Sequence, residues 1–226
     1  MKANKLYSGI SATYSGVVLL FIYMTDTLYL SDKSKFSVLI SIFGVMEFVK
    51  YFIIASQCPD VLKSLSAKVV SSSYPYSAHK SSSDKRSKQI FKGITLMAVM
   101  TAVYHVAIVL LGAGVIENFE ETFLLSVLLS VLSFLPLCLY FGSNSSLGAI
   151  FNVYPAPTGS FEACLRQNLY GTLYGTWLGA FFIPLDWDRP WQKWPIPCAF
   201  GGIAGYCISN IIKIPCPDMF IDKFAV

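Results

Sequence analysis

Six stretches of this chain are apolar almost throughout, and polar or charged residues gather between them. They run over about residues 8–29, 36–56, 93–115 and 122–141 and then, after a Gly-, Asn-, Ser- and Pro-rich stretch at 142–160, over 168–185 and 197–214. A helix needs roughly 20 residues to cross a hydrocarbon core about 30 Å thick. The pattern therefore predicts about six transmembrane helices, the fifth being Gly-rich and close to the shortest length that spans. The first run is too long for a signal-peptide core, and no small-residue cleavage pattern follows it, so it is expected to stay as a helix.

Composition agrees with the pattern. The 226 residues are 54% hydrophobic and 13% charged, against roughly 25% charged in soluble domains. Little of the chain is left to face water. The expected fold is an all-α polytopic membrane bundle forming a single integral-membrane domain over residues 1–226. A flexible loop is expected at about 60–90, where SSSYPYSAHKSSSDKRS has too little apolar surface to offset the entropy of ordering.

Charge sets the expected orientation. With a cytoplasmic N-terminus, that side holds Lys2, Lys5, the basic residues from Lys63 to Lys92, Arg166, Lys213 and Lys223. The opposite side holds only Lys33, Lys35, Arg189 and Lys193. The positive-inside bias then places both termini in the cytoplasm. It puts the sequon Asn144-Ser145-Ser146 on the cytoplasmic side as well, where it would stay unglycosylated. The net charge of +4 lies on no folded soluble module, which excludes a nucleic-acid surface.

Few residues could carry chemistry. The six cysteines show no short CxxC spacing, and there are only two histidines, so a His-rich metal site is excluded by count. Cys58, Cys164 and Cys216 fall near span ends, which leaves S-acylation open. Ionisable groups at membrane depth are costly and point to structure or function. Glu47 and Lys50 fall three residues apart inside the second run, where they share a helix face and can neutralise each other. His105 lies inside the third run. These three residues fit either internal packing or an intramembrane site. Gly171, Gly175 and Gly179 repeat at helix-packing spacing, and Gly201 and Gly205 do so in the sixth run. Packing within the bundle and docking of another membrane subunit both fit that spacing.

The connection between the last two runs is unusual. FFIPLDWDRPWQKWP, residues 181–195, holds three tryptophans, three prolines and four charges. Proline forbids a simple helical hairpin there, and tryptophan favours the membrane interface. A rigid lumenal loop is expected, in which Asp186, Trp187, Asp188, Arg189, Pro190, Trp191, Lys193 and Trp194 could bind a partner or a lipid head group. The longer run GAFFIPLDWDRPWQKWPIP, with the glycines before it and GGIAGY after it, resembles the signature of the phosphatidylinositol-glycan class F (PIG-F) family. The resemblance is specific over the last third of the chain and general in layout over most of the rest. The tail beyond residue 214 matches no pattern of that family.

That resemblance implies a multi-pass protein of the endoplasmic-reticulum membrane acting in glycosylphosphatidylinositol (GPI) anchor synthesis. It implies association with the large ethanolamine-phosphate transferase subunits PIG-O and PIG-G, which transfer ethanolamine phosphate from phosphatidylethanolamine to mannoses of the anchor precursor. Membrane lipid, either the precursor or phosphatidylethanolamine, is a further expected contact. Catalysis would reside in the partner's lumenal, zinc-binding domain. The chain itself is expected to be non-catalytic, with no metal or cofactor of its own. The competing reading is an intramembrane lipid-processing enzyme or transporter built on Glu47, Lys50 and His105.

Overall fold

The computed structural model describes residues 2–24, 32–60, 65, 82–114, 116–142, 160–185, 187 and 189–213. Among these, every regular element is helical. In chain order they are α1 (Lys2–Met24), α2 (Lys33–Gln57), α3 (Ser82–Leu110), α4 (Phe119–Phe141), α5 (Phe161–Ala180) and α6 (Ile196–Lys213). A single 3₁₀ turn, Pro190–Gln192, lies between α5 and α6.

Five helices, all but α5, are long and apolar enough to cross a membrane. The 20 residues of α5 reach about 30 Å at 1.5 Å each, but Glu162, Arg166 and Asn168 lower its hydropathy. Those three side chains are buried in the bundle. α5 packs antiparallel to α6 along the glycines of both helices.

Several boundaries differ from the sequence expectation. α3 starts at Ser82, eleven residues before residue 93, so part of the expected flexible loop is helical backbone. Its apolar section is Ile90–Leu110. Hydropathy marks only the lipid-facing length, and the preceding Lys, Arg and Gln are good helix formers. α5 occupies 161–180, whereas residues 181–185 of the expected fifth span turn back on themselves. Arg166, expected in a cytoplasmic connection, is buried inside α5. The sequon at Asn144, most of the expected loop and the tail after 213 lie outside the described residues.

Consecutive helices alternate in direction, as two apolar clusters reveal. One gathers Tyr7 of α1, Ile54 of α2, Phe134–Phe141 of α4 and Phe161–Leu169 of α5. The other gathers Ile22, Phe36–Phe43, Leu125–Leu132 and Ile196–Ile203. The first turns of α1 and the last turns of α6 therefore lie at the same end of the bundle.

Small polar residues on the inner faces hold the helices together, as expected where lipid offers no hydrophobic advantage to association. On α1 they are Asn4, Ser8, Ser11 and Ser15; on α4, Thr122, Ser126, Ser130 and Ser133. Ser130 accepts from Thr101 at 3.0 Å, and Ser133 meets the Tyr104 hydroxyl at 2.8 Å, which ties α3 to α4. The middle of α4 widens into a π turn at Ser130–Phe134, closed by the Leu135 N–H on the Ser130 carbonyl. Pro136 follows directly. Proline has no N–H to give and crowds the turn before it, and the wider turn makes room for its ring.

Candidate functional site

α2 places Glu47 and Lys50 on its inner face, both with no exposed surface. The Lys50 ammonium donates to Glu47 Oε1 at 2.7 Å, to Ser11 Oγ at 2.9 Å and to the Tyr206 hydroxyl at 2.9 Å. Three donors thus meet three acceptors. The same nitrogen lies 3.8 Å from the centroid of the Tyr7 ring, a cation–π contact. Hydroxyls of Tyr14 and Tyr206 donate to Glu47 Oε1 at 2.7 and 2.6 Å and stand 2.8 Å apart. The other carboxylate oxygen, Glu47 Oε2, is buried without a hydrogen-bond partner. The pair is neutral as a unit and joins α1, α2 and α6.

The polar contacts continue toward one end of the bundle. Asn168 of α5 donates to the Tyr7 hydroxyl at 3.1 Å and to Asn210 Oδ1 at 3.2 Å. Asn210 in turn donates to the Tyr206 carbonyl at 2.8 Å. Cys164 is fully buried, with its sulfur 3.4 Å from Ser8 Oγ, so an acyl group has no access to it. His105 does not join this cluster. Its ring lies edge-on to Phe119 and Phe123 of α4, at 5.0 and 6.4 Å between centroids, and none of the contacts of Glu47 or Lys50 is with it.

The glycines of α5 and α6 face each other. A Cβ on Gly175 would stand 2.2 Å from the Gly201 carbonyl oxygen, and one on Gly179 would stand 2.2 Å from that of Pro197. At the other end, a Cβ on Gly171 would meet Ser209 Oγ at 1.7 Å, and one on Gly205 would meet the Gly171 carbonyl at 2.1 Å. Backbone touches backbone along the whole seam, which only glycine permits.

After α5 the chain turns through residues 181–185 and returns by way of the 3₁₀ turn. Gln192 organises this connection. Its Nε2 donates to the carbonyls of Phe182 and Leu185 at 2.8 and 2.6 Å, and its Oε1 accepts from the Arg189 N–H at 2.9 Å. Phe182, Trp187 and Trp191 pack as a triangle with centroids 6.0–6.3 Å apart. Trp194 donates from Nε1 to Thr122 Oγ1 at 3.1 Å, fastening the loop to the start of α4. Arg189, Pro190 and Lys193 are exposed, and Trp187 is half exposed. Asp186 and Asp188 lie outside the described residues.

This loop and seam fall inside the region, residues 13–214, that matches the model of the GPI biosynthesis protein family Pig-F. The chain belongs to that family. Relatives from mouse and human, each named "GPI ethanolamine phosphate transferase, stabilizing subunit", are 41% identical over 48% and 49% of this chain and half of their own length. A Neurospora crassa relative, "Glycosylphosphatidylinositol anchor biosynthesis protein 11", is 35% identical over 52% of this chain and 42% of its own. The chain spans about half the length of the mouse and human relatives it matches. No solved structure matches it.

In this Pig-F family member, the intramembrane charges are engaged with each other and with tyrosines, while the Trp/Pro loop presents aromatic and cationic side chains outward. The sequence pointed to Glu47 and Lys50 but missed Tyr7, Tyr14, Tyr206, Ser11, Asn168 and Gln192. The recurrence of Asn4, Ser8, Ser11 and Ser15 at helical spacing was a usable signal for the inner face of α1. Nothing in the sequence distinguished Gln192 from its neighbours.

Proposed function

We propose that this chain is the non-catalytic stabilising subunit of a GPI ethanolamine-phosphate transferase in the endoplasmic-reticulum membrane, with both termini cytoplasmic. The observation that carries this reading is family membership over residues 13–214, taken with the stabilising-subunit names of its mouse and human relatives. In this reading a large subunit of the PIG-O or PIG-G type holds the catalytic site in its lumenal domain. This chain supplies a pre-formed helical platform, and the exposed side chains of its Trp/Pro loop brace that domain.

The geometry supports a platform role in one respect. Glu47 and Lys50 spend their hydrogen bonds on α1 and α6, so their chemistry serves cohesion of the bundle. The test is affinity purification of the tagged chain in mild detergent, followed by mass spectrometry and a transferase assay. Recovery of a large transferase subunit, with activity lost when that partner's metal site is mutated, supports the reading. A chain recovered alone with metal-independent activity or transport overturns it.

A further inference from the structure

Along the outer side of the α5–α6 seam runs an apolar groove of about 710 Å³. Its floor is the bare backbone of the facing glycines. Tyr174 and Leu178 wall it on α5, Phe200 and Ile208 on α6, and Trp191 closes one end. From Pro197 to Ser209 it extends about 18 Å at ~1.5 Å per residue. One leaflet of hydrocarbon is roughly 15 Å thick. Arg189 and Lys193 flank Trp191 in the same short turn; both are exposed, and neither forms an ion pair with a described residue.

We propose that this groove seats one acyl chain of a membrane phospholipid, whose anionic phosphate is held by Arg189 and Lys193. The length of the groove, close to the thickness of one leaflet, suits a single acyl chain. The groove is apolar along its length, and the exposed Arg189 and Lys193 flank the tryptophan at its end, an arrangement that suits a tail joined to a phosphate. The proposal is independent of the stabilising-subunit reading, since it concerns lipid in the purified chain alone.

The test places the full chain in phosphatidylcholine nanodiscs doped with phosphatidylglycerol carrying a photoreactive diazirine on its acyl chain. Labelled residues are then mapped by mass spectrometry. Labelling concentrated on Tyr174, Leu178, Phe200 and Ile208 is expected. Loss of that labelling in Ala204→Trp, which fills the groove from its wall, and loss of the phosphatidylglycerol preference in the Arg189→Ala/Lys193→Ala double variant would complete the case. The unsubstituted chain keeps the test decisive if Ala204→Trp does not fold. Labelling spread evenly onto the exposed face of α3, at Ile94, Val99 and Val103, overturns the proposal. So does trapping of another polypeptide by a photo-crosslinker placed at Tyr174 in native membranes.

Discussion

The Lys50 ammonium and the Glu47 carboxylate meet at 2.7 Å, one helical turn apart and wholly shielded from solvent. Removing one partner leaves the other charged and buried, which costs about 3–5 kcal/mol. Glu47→Gln and Lys50→Met are each expected to lower thermal stability in detergent by that order. The double variant is expected to recover most of the loss. Single variants as stable as the parent would mean that the pair is hydrated.

Glycines in this chain should divide sharply by location. Gly175→Ala and Gly201→Ala each drive a methyl into the opposing backbone, at 2.2 and 2.3 Å. Backbone cannot rotate aside, so a loss of about 1–3 kcal/mol or more is expected. Gly9 and Gly44 have nothing within 4 Å of a new Cβ. Alanine there is expected to stabilise its helix by roughly 0.5–1 kcal/mol. Unfolding midpoints of the four variants make the comparison.

Gln192 predicts an unusual order of effects. Gln192→Ala removes three hydrogen bonds from the α5–α6 connection and is expected to cost about 1 kcal/mol locally. Gln192→Glu keeps the shape yet sets a carboxylate against the Phe182 and Leu185 carbonyls, so it should loosen the loop more than alanine does. Hydrogen exchange at the Arg189 amide reads the difference, fastest in the glutamate variant.

Asp32 gives the start of α2 a dependence on acid. Its carboxylate accepts from the Ser34 hydroxyl at 2.7 Å and the Ser34 N–H at 3.0 Å, which hold its pKa below the usual carboxylate value. A depressed pKa contributes stability above the ordinary value and loses it as pH falls through the lowered one. Asp32→Asn is expected to flatten this acid arm. A melting-temperature profile over mildly to strongly acidic pH checks it.

What the sequence could show followed from the range of each interaction. Long apolar runs and the i,i+3 spacing of Glu47 and Lys50 are local, and they were readable. The glycine repeat was readable too, but which helix it met was not, because Gly175 and Gly201 are brought together only by the turn between α5 and α6. Tyr14 and Tyr206 are 192 positions apart, and no local pattern announces that their hydroxyls share one carboxylate oxygen. Hydropathy underestimated α3 because the helix continues past the membrane in polar residues. It misplaced α5 for the converse reason: Arg166 and Glu162 are inside the bundle, where their polarity is hidden from lipid.

The glycine seam also bears on how the chain is made. α5 carries a carboxylate, a guanidinium and an asparagine in its first half, each of which resists entry into lipid. α6 is the more apolar helix, and its Gly201 and Gly205 meet the backbone of α5. The two are therefore expected to partition from the translocation machinery as one hairpin, with the later helix drawing in the earlier one. A nascent chain halted before Ile196 should leave α5 outside the bilayer, which makes the quality of this seam a checkpoint in biogenesis.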